Sequence, residues 1–126
     1  MTDAATQHAL AVMDAHIAAL NARDATALAA TLHFPHHRLS GTTWKTWETA
    51  EHYFADFLAR AGDGWARSEA GDIAVVGVSE NKVHLDVEIR RFDADDALLT
   101  AFRSLWVIVD IDGVWAAKVR SSFAAA

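Results

Sequence analysis

The chain is 126 residues long, 52% of them hydrophobic, and contains one proline, six glycines and no cysteine. This composition excludes a disordered chain and a disulfide-stapled one, and we expect residues 1–126 to form a single domain with its own core. The net charge is -6, and the eleven Lys and Arg residues are spread along the chain with only Arg90 and Arg91 adjacent. The sequence therefore offers no cationic stripe for phosphates, and we expect no nucleic-acid partner.

The beginning of the chain carries no targeting pattern. It lacks a basic start followed by an unbroken apolar run. No window anywhere approaches the roughly 18 uninterrupted apolar residues that a membrane span needs. We therefore expect a cytoplasmic protein without membrane contact.

Three helices are predicted in the first half of the chain. From Asp3 to Ala22, apolar residues recur at three- and four-residue intervals, which is typical of one buried helix face. Asp24 is a suitable N-cap for a short Ala-rich second helix that runs to about Leu32. The third helix is predicted from Trp47 to about Ala61, with Thr46 as its N-cap.

Strands are predicted for the remaining segments. Pro35 ends the second helix and favours an extended conformation for Phe34, which predicts a short edge strand. Four more segments rich in Val, Ile, Leu and aromatic residues are separated by short turns. These segments are 66–79, 82–92, 98–111 and 114–123. Short turns between consecutive strands are typical of an antiparallel meander, so the predicted fold class is α+β, with three N-terminal helices on a strongly curved antiparallel sheet.

The last two predicted strands differ from the one at 82–92. That strand alternates cleanly between apolar and polar residues, as expected for a strand with one wet face. In 98–111 and 114–123 both alternating sets are largely apolar, which indicates that both sheet faces are covered. The helices can cover one face, and a second copy of the chain can cover the other. We therefore expect a homodimer formed through the outer sheet face.

The order of these elements resembles the NTF2-like superfamily, which includes the ketosteroid isomerases and the SnoaL-like polyketide cyclases. Four short stretches carry the resemblance: Ala18-Ala19-Leu20-Asn21-Ala22-Arg23-Asp24, Phe34-Pro35, Asp112-Gly113-Val114-Trp115 and Arg120-Ser121-Ser122-Phe123. The resemblance implies a cone-shaped pocket between the first helix, the first strand, the third helix and the concave face of the sheet. It leaves the function open, because this fold hosts enzymes, binding modules and assembly domains.

The resemblance also places the catalytic positions of the isomerases on this chain. Their oxyanion-hole tyrosine falls at His16, their catalytic aspartate falls near Ser40, and their protonated aspartate falls near Ser104 or Leu105. None of the three is retained. A serine cannot abstract a carbon-bound proton as a carboxylate does, so steroid isomerisation by this set of residues is not expected.

His16 is a candidate catalytic residue on the buried-facing side of the first helix. In a pocket it could donate a hydrogen bond to a ligand carbonyl or act as a base near neutral pH. The alternative is a core histidine held by a backbone carbonyl.

The densest chemical cluster is His33, His36 and His37 with Arg38. In an extended strand His33 and His37 point to one face, and His36 and Arg38 point to the other. Three histidines therefore cannot converge on one ion from a regular strand, and we expect no metal. In the functional interpretation, His36 and Arg38 face the pocket, His36 as a catalytic residue and Arg38 as a ligand-binding residue. In the alternative, the segment is an exposed edge strand whose charges prevent pairing with another chain.

Two further arginines, Arg91 and Arg103, stand where the alternation otherwise places apolar residues. A buried guanidinium needs an anionic partner. That partner is either the carboxylate of a ligand or an internal carboxylate, with Asp86, Glu88 and Asp110 as candidates.

Five tryptophans in a chain of this size suggest an aromatic-lined cavity. Trp44, Trp47 and Trp106 are the candidates for its lining, and Trp65 and Trp115 are assigned to core packing. The pattern leaves open which set of residues at 98–111 faces the cavity. One set is Phe102, Ser104 and Trp106; the other is Ala101, Arg103 and Leu105.

These residues predict a small-molecule pocket protein without a cofactor, and two functions. The first is an isomerase, cyclase or lyase of the SnoaL-like type acting on a hydrophobic carbonyl compound, with His36 as base and His16 or Arg38 stabilising oxyanion charge. The second is a non-catalytic domain that binds a small apolar acid through Arg38 or Arg91. A dimerisation module is a third interpretation.

Overall fold

The computed structural model describes residues 3–124. Within that range the helices are α1 (Ala4–Ala22), α2 (Ala25–Ala29) and α3 (Ala50–Ala61). The strands are β1 (Leu32–Ser40), β2 (Thr43–Trp47), β3 (Arg67–Val78), β4 (Lys82–Phe92), β5 (Leu98–Ile111) and β6 (Val114–Ser122). The predicted α+β fold, with N-terminal helices on a curved sheet, is confirmed. Among the described helices, none has the length and apolar character needed to cross a membrane.

The first two helices begin at the acidic residues that the sequence indicates. The Asp3 carboxylate accepts a hydrogen bond from the backbone N–H of Thr6 at 2.8 Å, and Asp24 accepts one from Ala27 at 3.0 Å. Arg23 ends α1 in the left-handed conformation, with φ 54°, and its backbone N–H reaches the last carbonyl groups of the helix. These caps fix the direction of α1, which carries His16 over the sheet.

The predicted end of the second helix and the predicted start of the third are wrong, whereas the Asp24 cap and the end at Ala61 are confirmed. Residues 43–47 form β2 rather than the first turn of a helix, and the N-cap of α3 is Thr49, not Thr46. Aromatic and β-branched residues dominate this segment and favour a strand, which pairs with β1 as a hairpin across Gly41. The second helix also ends earlier than predicted, at Ala29, because the chain is already extended from Leu32 onwards.

The six strands form one sheet in the order β2-β1-β6-β5-β4-β3. The predicted antiparallel meander of β3 to β6 is confirmed. However, β1 lies parallel to β6, so the expectation of a wholly antiparallel sheet is wrong. Short turns reveal the pairing of consecutive strands only, and β1 and β6 are separated by most of the chain. This long-range pairing places the side chains of β1 next to those of β6 beneath the helices.

The register of β5 is settled by burial. Ser104 and Trp106 are buried beneath the helices, whereas Arg103 lies on the other face and donates to the Asp86 carboxylate at 2.9 Å. Of the two sets left open at 98–111, the inner one therefore contains Phe102, Ser104 and Trp106. The internal ion pair is the correct alternative for Arg103.

The outer face of the sheet carries a patch of partly exposed apolar side chains. Leu105, Val107 and Val109 alternate with buried residues of β5 and therefore point outward. Val119 on β6 lies opposite Val107, and Leu39 on β1 is exposed on the same face. This patch supports the homodimer expected from the sequence, which stays a prediction.

Replacement of Val107 by Glu tests the homodimer. In sedimentation at micromolar concentration we expect the wild-type chain to be a dimer and Val107→Glu to be a monomer, because the variant places a charge at the centre of the apolar patch. Leu58→Glu, the same change at an exposed residue of α3, should remain dimeric. A wild-type chain that sediments as a monomer would contradict the prediction.

Candidate functional site

Two arginines lie side by side on the buried inner face of the sheet. Arg38 of β1 is the register partner of Arg120 of β6, which in turn lies opposite Trp106 of β5. Arg38 is 1% exposed and Arg120 is 8% exposed. The guanidinium of Arg120 lies 4.8 Å from the centroid of Trp106 and 5.5 Å from that of Tyr53. The parallel pairing of β1 and β6 thus buries two positive charges in one row.

Two further arginines approach this row from other elements. Arg91, at the end of β4, is 8% exposed, and its guanidinium lies 4.7 Å from the centroid of Phe102 and 5.3 Å from that of Phe57. Arg60 comes from the last turn of α3 and is also buried along its side chain. Arg38, Arg60, Arg91 and Arg120 are called the arginine cluster below.

Among the described residues, little negative charge balances Arg60, Arg91 and Arg120. Asp56 accepts a hydrogen bond from Arg60 at 3.3 Å and shares its charge with Lys45. Within residues 3–124, no carboxylate lies within ion-pair distance of Arg91 or Arg120. A buried cation without an anionic partner is strongly unfavourable, so this region of the protein favours an anion.

The ionisation of the cluster reflects this imbalance. Burial lowers the pKa of Arg91 to about 10, and the charges of Arg60 and Arg120 add to the effect. Burial, followed by the charge of Arg120, lowers the pKa of Arg38 to about 9. Both groups still carry a positive charge at neutral pH, and the cluster is positive under ordinary conditions.

Several buried polar atoms beside the cluster make no hydrogen bond within the described part of the chain. They include Nε of Arg91, Nε of Arg120 and Nε1 of Trp106. Buried polar groups in proteins are nearly always hydrogen-bonded, and each exception needs an explanation. A concentration of unpartnered donors around one cavity indicates a binding site for hydrogen-bond acceptors.

Two adjoining cavities give access to these donors. The outer cavity measures about 310 Å³, and Arg60, Leu99 and Thr100 are among its lining residues. The inner cavity measures about 20 Å³, and His16, Trp106 and Arg120 are among its lining residues. Arg91 and Phe102 line both. Arg91 therefore stands between the wider mouth and the narrow interior.

A larger groove lies elsewhere and has a different character. It measures about 630 Å³, runs between α1 and β3, and has Asp14 and Glu69 as its charged lining residues. No member of the arginine cluster lines it. Its volume is that of an open surface depression, whereas the two smaller cavities reach the buried polar atoms.

His16 is held in one tautomer by its neighbours. Its Nδ1 lies 2.9 Å from the hydroxyl oxygen of Thr31, and that hydroxyl donates its one proton to the carbonyl of Leu28 at 2.8 Å. The Thr31 oxygen can then only accept, so His16 donates from Nδ1 and its Nε2 carries a lone pair. Nε2 is buried and has no partner among residues 3–124. His16 therefore presents a hydrogen-bond acceptor, not a donor, at its buried Nε2.

His36 is arranged in the same way. Its Nδ1 donates to the carbonyl of Ala117 at 3.1 Å, and its buried Nε2 likewise lacks a partner in the described residues. Burial, together with the charge of Arg120, lowers the pKa of His36 to about 3. The pKa of His16 is lowered well below its usual range by the same two causes. Both rings are neutral at physiological pH.

Five of the six predicted site residues are buried: His16, His36, Arg38, Arg91 and Trp106. Of these, His16, Arg91 and Trp106 line the inner cavity, whereas His36 and Arg38 are among the lining residues of neither cavity. Trp44 lies apart from them. It is 57% exposed and stacks on His37 at 5.4 Å between ring centroids. Trp44 belongs to the outward face of β2, whereas Trp47 of the same strand is buried.

The three histidines of the 33–37 segment diverge, as the strand alternation predicts. His33 contacts the carbonyl of Val109 through Nε2, and His37 contacts the hydroxyl of Thr46 through Nδ1. Of the three, His36 alone points into the core.

Sequence reasoning missed Arg60, Arg120 and Tyr53. Tyr53 and Arg60 are seven positions apart, which places them on one face of α3, together with Phe57 between them. Arg120 alternates with the buried Ser122 on β6. Both spacings are present in the sequence, but each needs the neighbouring strand or helix before it indicates a shared site.

The sequence matches no protein-family model and no curated protein. Solved structures do resemble it. One is an NTF2-like protein from Cytophaga hutchinsonii, with a TM-score of 0.74 and 19% sequence identity; the match covers 99% of this chain and 100% of that protein's chain. A protein of unknown function with a cystatin-like fold from Nostoc punctiforme matches with a TM-score of 0.76 and 13% identity, over 97% of this chain and 92% of its own.

A third similar structure is Aln2 from a Streptomyces species. It matches with a TM-score of 0.71 and 16% identity, over 97% of this chain and 92% of its own. Identities this low establish the fold and leave the activity open. The chain therefore has the NTF2-like fold, also called cystatin-like, that its sequence resembles.

Proposed function

We propose that the chain binds a small organic acid, whose carboxylate pairs with the arginine cluster and whose apolar part packs on the aromatic side chains around it. One observation carries this proposal. Arg91 and Arg120 are buried, and no carboxylate within residues 3–124 pairs with either of them.

The energetics favour an anionic ligand. An uncompensated buried charge costs several kcal/mol, and removing the partner of a buried ion pair typically costs about 3–5 kcal/mol. A carboxylate that binds a guanidinium through two parallel hydrogen bonds removes this penalty and satisfies the unpartnered N–H groups at the same time. Arg91 fits this role, because it is shared by both cavities and its Nε is unpartnered in the described chain.

The walls favour an organic acid over an inorganic anion. Phe102 lines both cavities, Phe57 lines the inner one, and Leu99 lines the outer one. Such a mixture of apolar walls and a few fixed polar groups is typical of small-molecule sites, whose volumes start at about 300 Å³. A benzoate-sized or phenylacetate-sized acid matches an outer cavity of about 310 Å³.

An enzyme of the isomerase, cyclase or lyase type is the second candidate. The observation in its favour is that Nε2 of His16 and of His36 faces no partner within residues 3–124 and is free to take a proton. Against it, a general base works best when its pKa is near the working pH. The pKa of His36 is lowered to about 3 by burial and by Arg120, which makes it a weak base. Binding is therefore the function that the geometry supports best, and a cytoplasmic location stays a prediction from the sequence.

Substitution of Arg91 separates binding from stability. Wild-type protein should bind at least one of benzoate, phenylacetate and 3-phenylpropionate more tightly than the corresponding uncharged amide. In Arg91→Leu we expect this affinity to fall about tenfold or more, equivalent to roughly 1.4 kcal/mol. The melting temperature should not fall, because the variant removes a buried charge that lacks a partner. Calorimetric titration and thermal unfolding measure the two quantities.

Arg103→Leu is the matched control. Arg103 is paired with Asp86 on the outer face, so its loss should leave the affinity for the acids unchanged. The proposed function fails if none of the three acids binds, or if Arg91→Leu binds them as tightly as the wild type.

The buried neutral histidines predict a loss of stability in acid. The pKa of His36 is lowered from 6.5 in an unfolded chain to about 3 in the folded protein, so the unfolded state binds more protons between these values. The free energy of unfolding should therefore fall as the pH drops below about 6.5, by up to about 1.4 kcal/mol per pH unit for each such histidine. His36→Asn, which cannot be protonated, should reduce this slope by about one proton in urea unfolding. An unchanged slope would contradict the assignment.

A further inference from the structure

We infer that the acid bound by this protein carries a hydroxyl group, and that Nε2 of His16 accepts a hydrogen bond from that hydroxyl in the inner cavity. The inference rests on the proposed function, since the same ligand places its carboxylate at Arg91. It makes His16 a specificity-determining residue and names the ligand class as small hydroxylated carboxylic acids with an apolar or aromatic body.

The hydrogen bonds around His16 indicate which of its ring nitrogens carries the proton. In the alternative arrangement the Thr31 hydroxyl donates its proton to Nδ1 of His16 and no longer to the Leu28 carbonyl. The His16 ring would then carry its own proton on Nε2, as a buried N–H without a partner in the described residues. The arrangement with Nδ1 donating makes two hydrogen bonds, at 2.9 and 2.8 Å, whereas the alternative makes one. A buried hydrogen bond in favour of one arrangement is worth about 1 kcal/mol. His16 therefore presents a lone pair at Nε2.

The location of His16 limits what can reach the lone pair on its Nε2. His16 is 1% exposed and lines the inner cavity, whereas Thr31 does not line it. With Nδ1 engaged by Thr31, the Nε2 side of the ring is the one left for a ligand. A carboxylate only accepts hydrogen bonds, so it cannot satisfy this atom. A ligand that bonds directly to this atom therefore brings a donor.

The positive charges that line the inner cavity restrict the kind of hydrogen-bond donor that it can hold. An ammonium group is excluded by the positive charge of Arg91 and Arg120, which line the same cavity. A hydroxyl is neutral, donates once and accepts as well. It can donate to Nε2 of His16 and accept from the unpartnered Nε1–H of Trp106, whose ring centroid lies 4.9 Å from that of His16.

The volume of the inner cavity restricts the donor further. The inner cavity measures about 20 Å³, and a site that holds one oxygen-sized group needs about 10–15 Å³ by the same kind of measure. A hydroxyl fits this space, whereas a larger donor such as a primary amide does not. The carboxylate then remains at the junction of the two cavities, beside Arg91.

Nitrogen-15 spectra of the histidine rings test the polarity directly, without any ligand. At neutral pH we expect His16 to carry its proton on Nδ1 and to show an unprotonated Nε2. Assignment of the spectrum is checked with His16→Leu, whose ring signals should be missing. A proton found on Nε2 of His16 would overturn the inference and leave the arginine cluster unaffected.

Ligand affinities test the specificity. Phenylacetate is compared with mandelate and with the ortho-, meta- and para-hydroxyphenylacetates by calorimetric titration. At least one hydroxylated acid should bind wild-type protein about tenfold more tightly than phenylacetate. In His16→Leu this preference should vanish, so that no hydroxylated acid binds this variant more tightly than phenylacetate does. His52→Leu, the same change at an exposed histidine of α3, should keep the preference.

The outcomes separate the two proposals. If phenylacetate binds but no hydroxylated form binds more tightly, or if the preference survives in His16→Leu, the hydroxyl inference is wrong and the proposed function stands. If neither phenylacetate nor any hydroxylated form binds, the proposed function fails together with the inference.

Discussion

The burial of Arg91 and Arg120 without a paired carboxylate among residues 3–124 is the constraint on which the rest of the structure depends. The parallel pairing of β1 with β6 places Arg38 beside Arg120, and Arg60 and Arg91 reach the same region from α3 and β4. Aromatic rings partly compensate, since Arg120 and Arg91 each lie over two of them. Each such contact is worth roughly 0.5–2 kcal/mol, less than the several kcal/mol that an unpaired buried charge costs. The balance is unfavourable without an anion, which is why we assign the cluster a binding role rather than a structural one.

The histidines follow from the same constraint. A protonated imidazole beside Arg120 would add to the positive charge, and burial already disfavours the charged form. Neutral rings with an unprotonated, buried Nε2 are the arrangement that the site can hold. This reverses the polarity that the isomerase resemblance implies at His16, where a tyrosine would donate to an oxyanion. We therefore infer that the same position of the fold serves as a hydrogen-bond acceptor in this chain.

The sequence predicts features that depend on neighbouring residues, such as helix caps, and does not predict pairings between distant strands. Asp3 and Asp24 cap their helices because a carboxylate next to a periodic apolar run is sufficient information. Arg91 is recognisable as out of place because β4 alternates cleanly. By contrast, the parallel partner of β1 lies about eighty positions further along the chain, and no turn or spacing encodes it. Arg120 therefore cannot be joined to Arg38 from the sequence, and the arginine cluster is visible there only as separate arginines.

The most direct test of the account is a crystal structure of the protein with para-bromophenylacetate, whose bromine can be located by anomalous scattering. We expect carboxylate oxygens within hydrogen-bond distance of the Arg91 guanidinium and the ring against Phe102. Ligand bound in the groove between α1 and β3, or a carboxylate directed to solvent away from all four arginines, would contradict it.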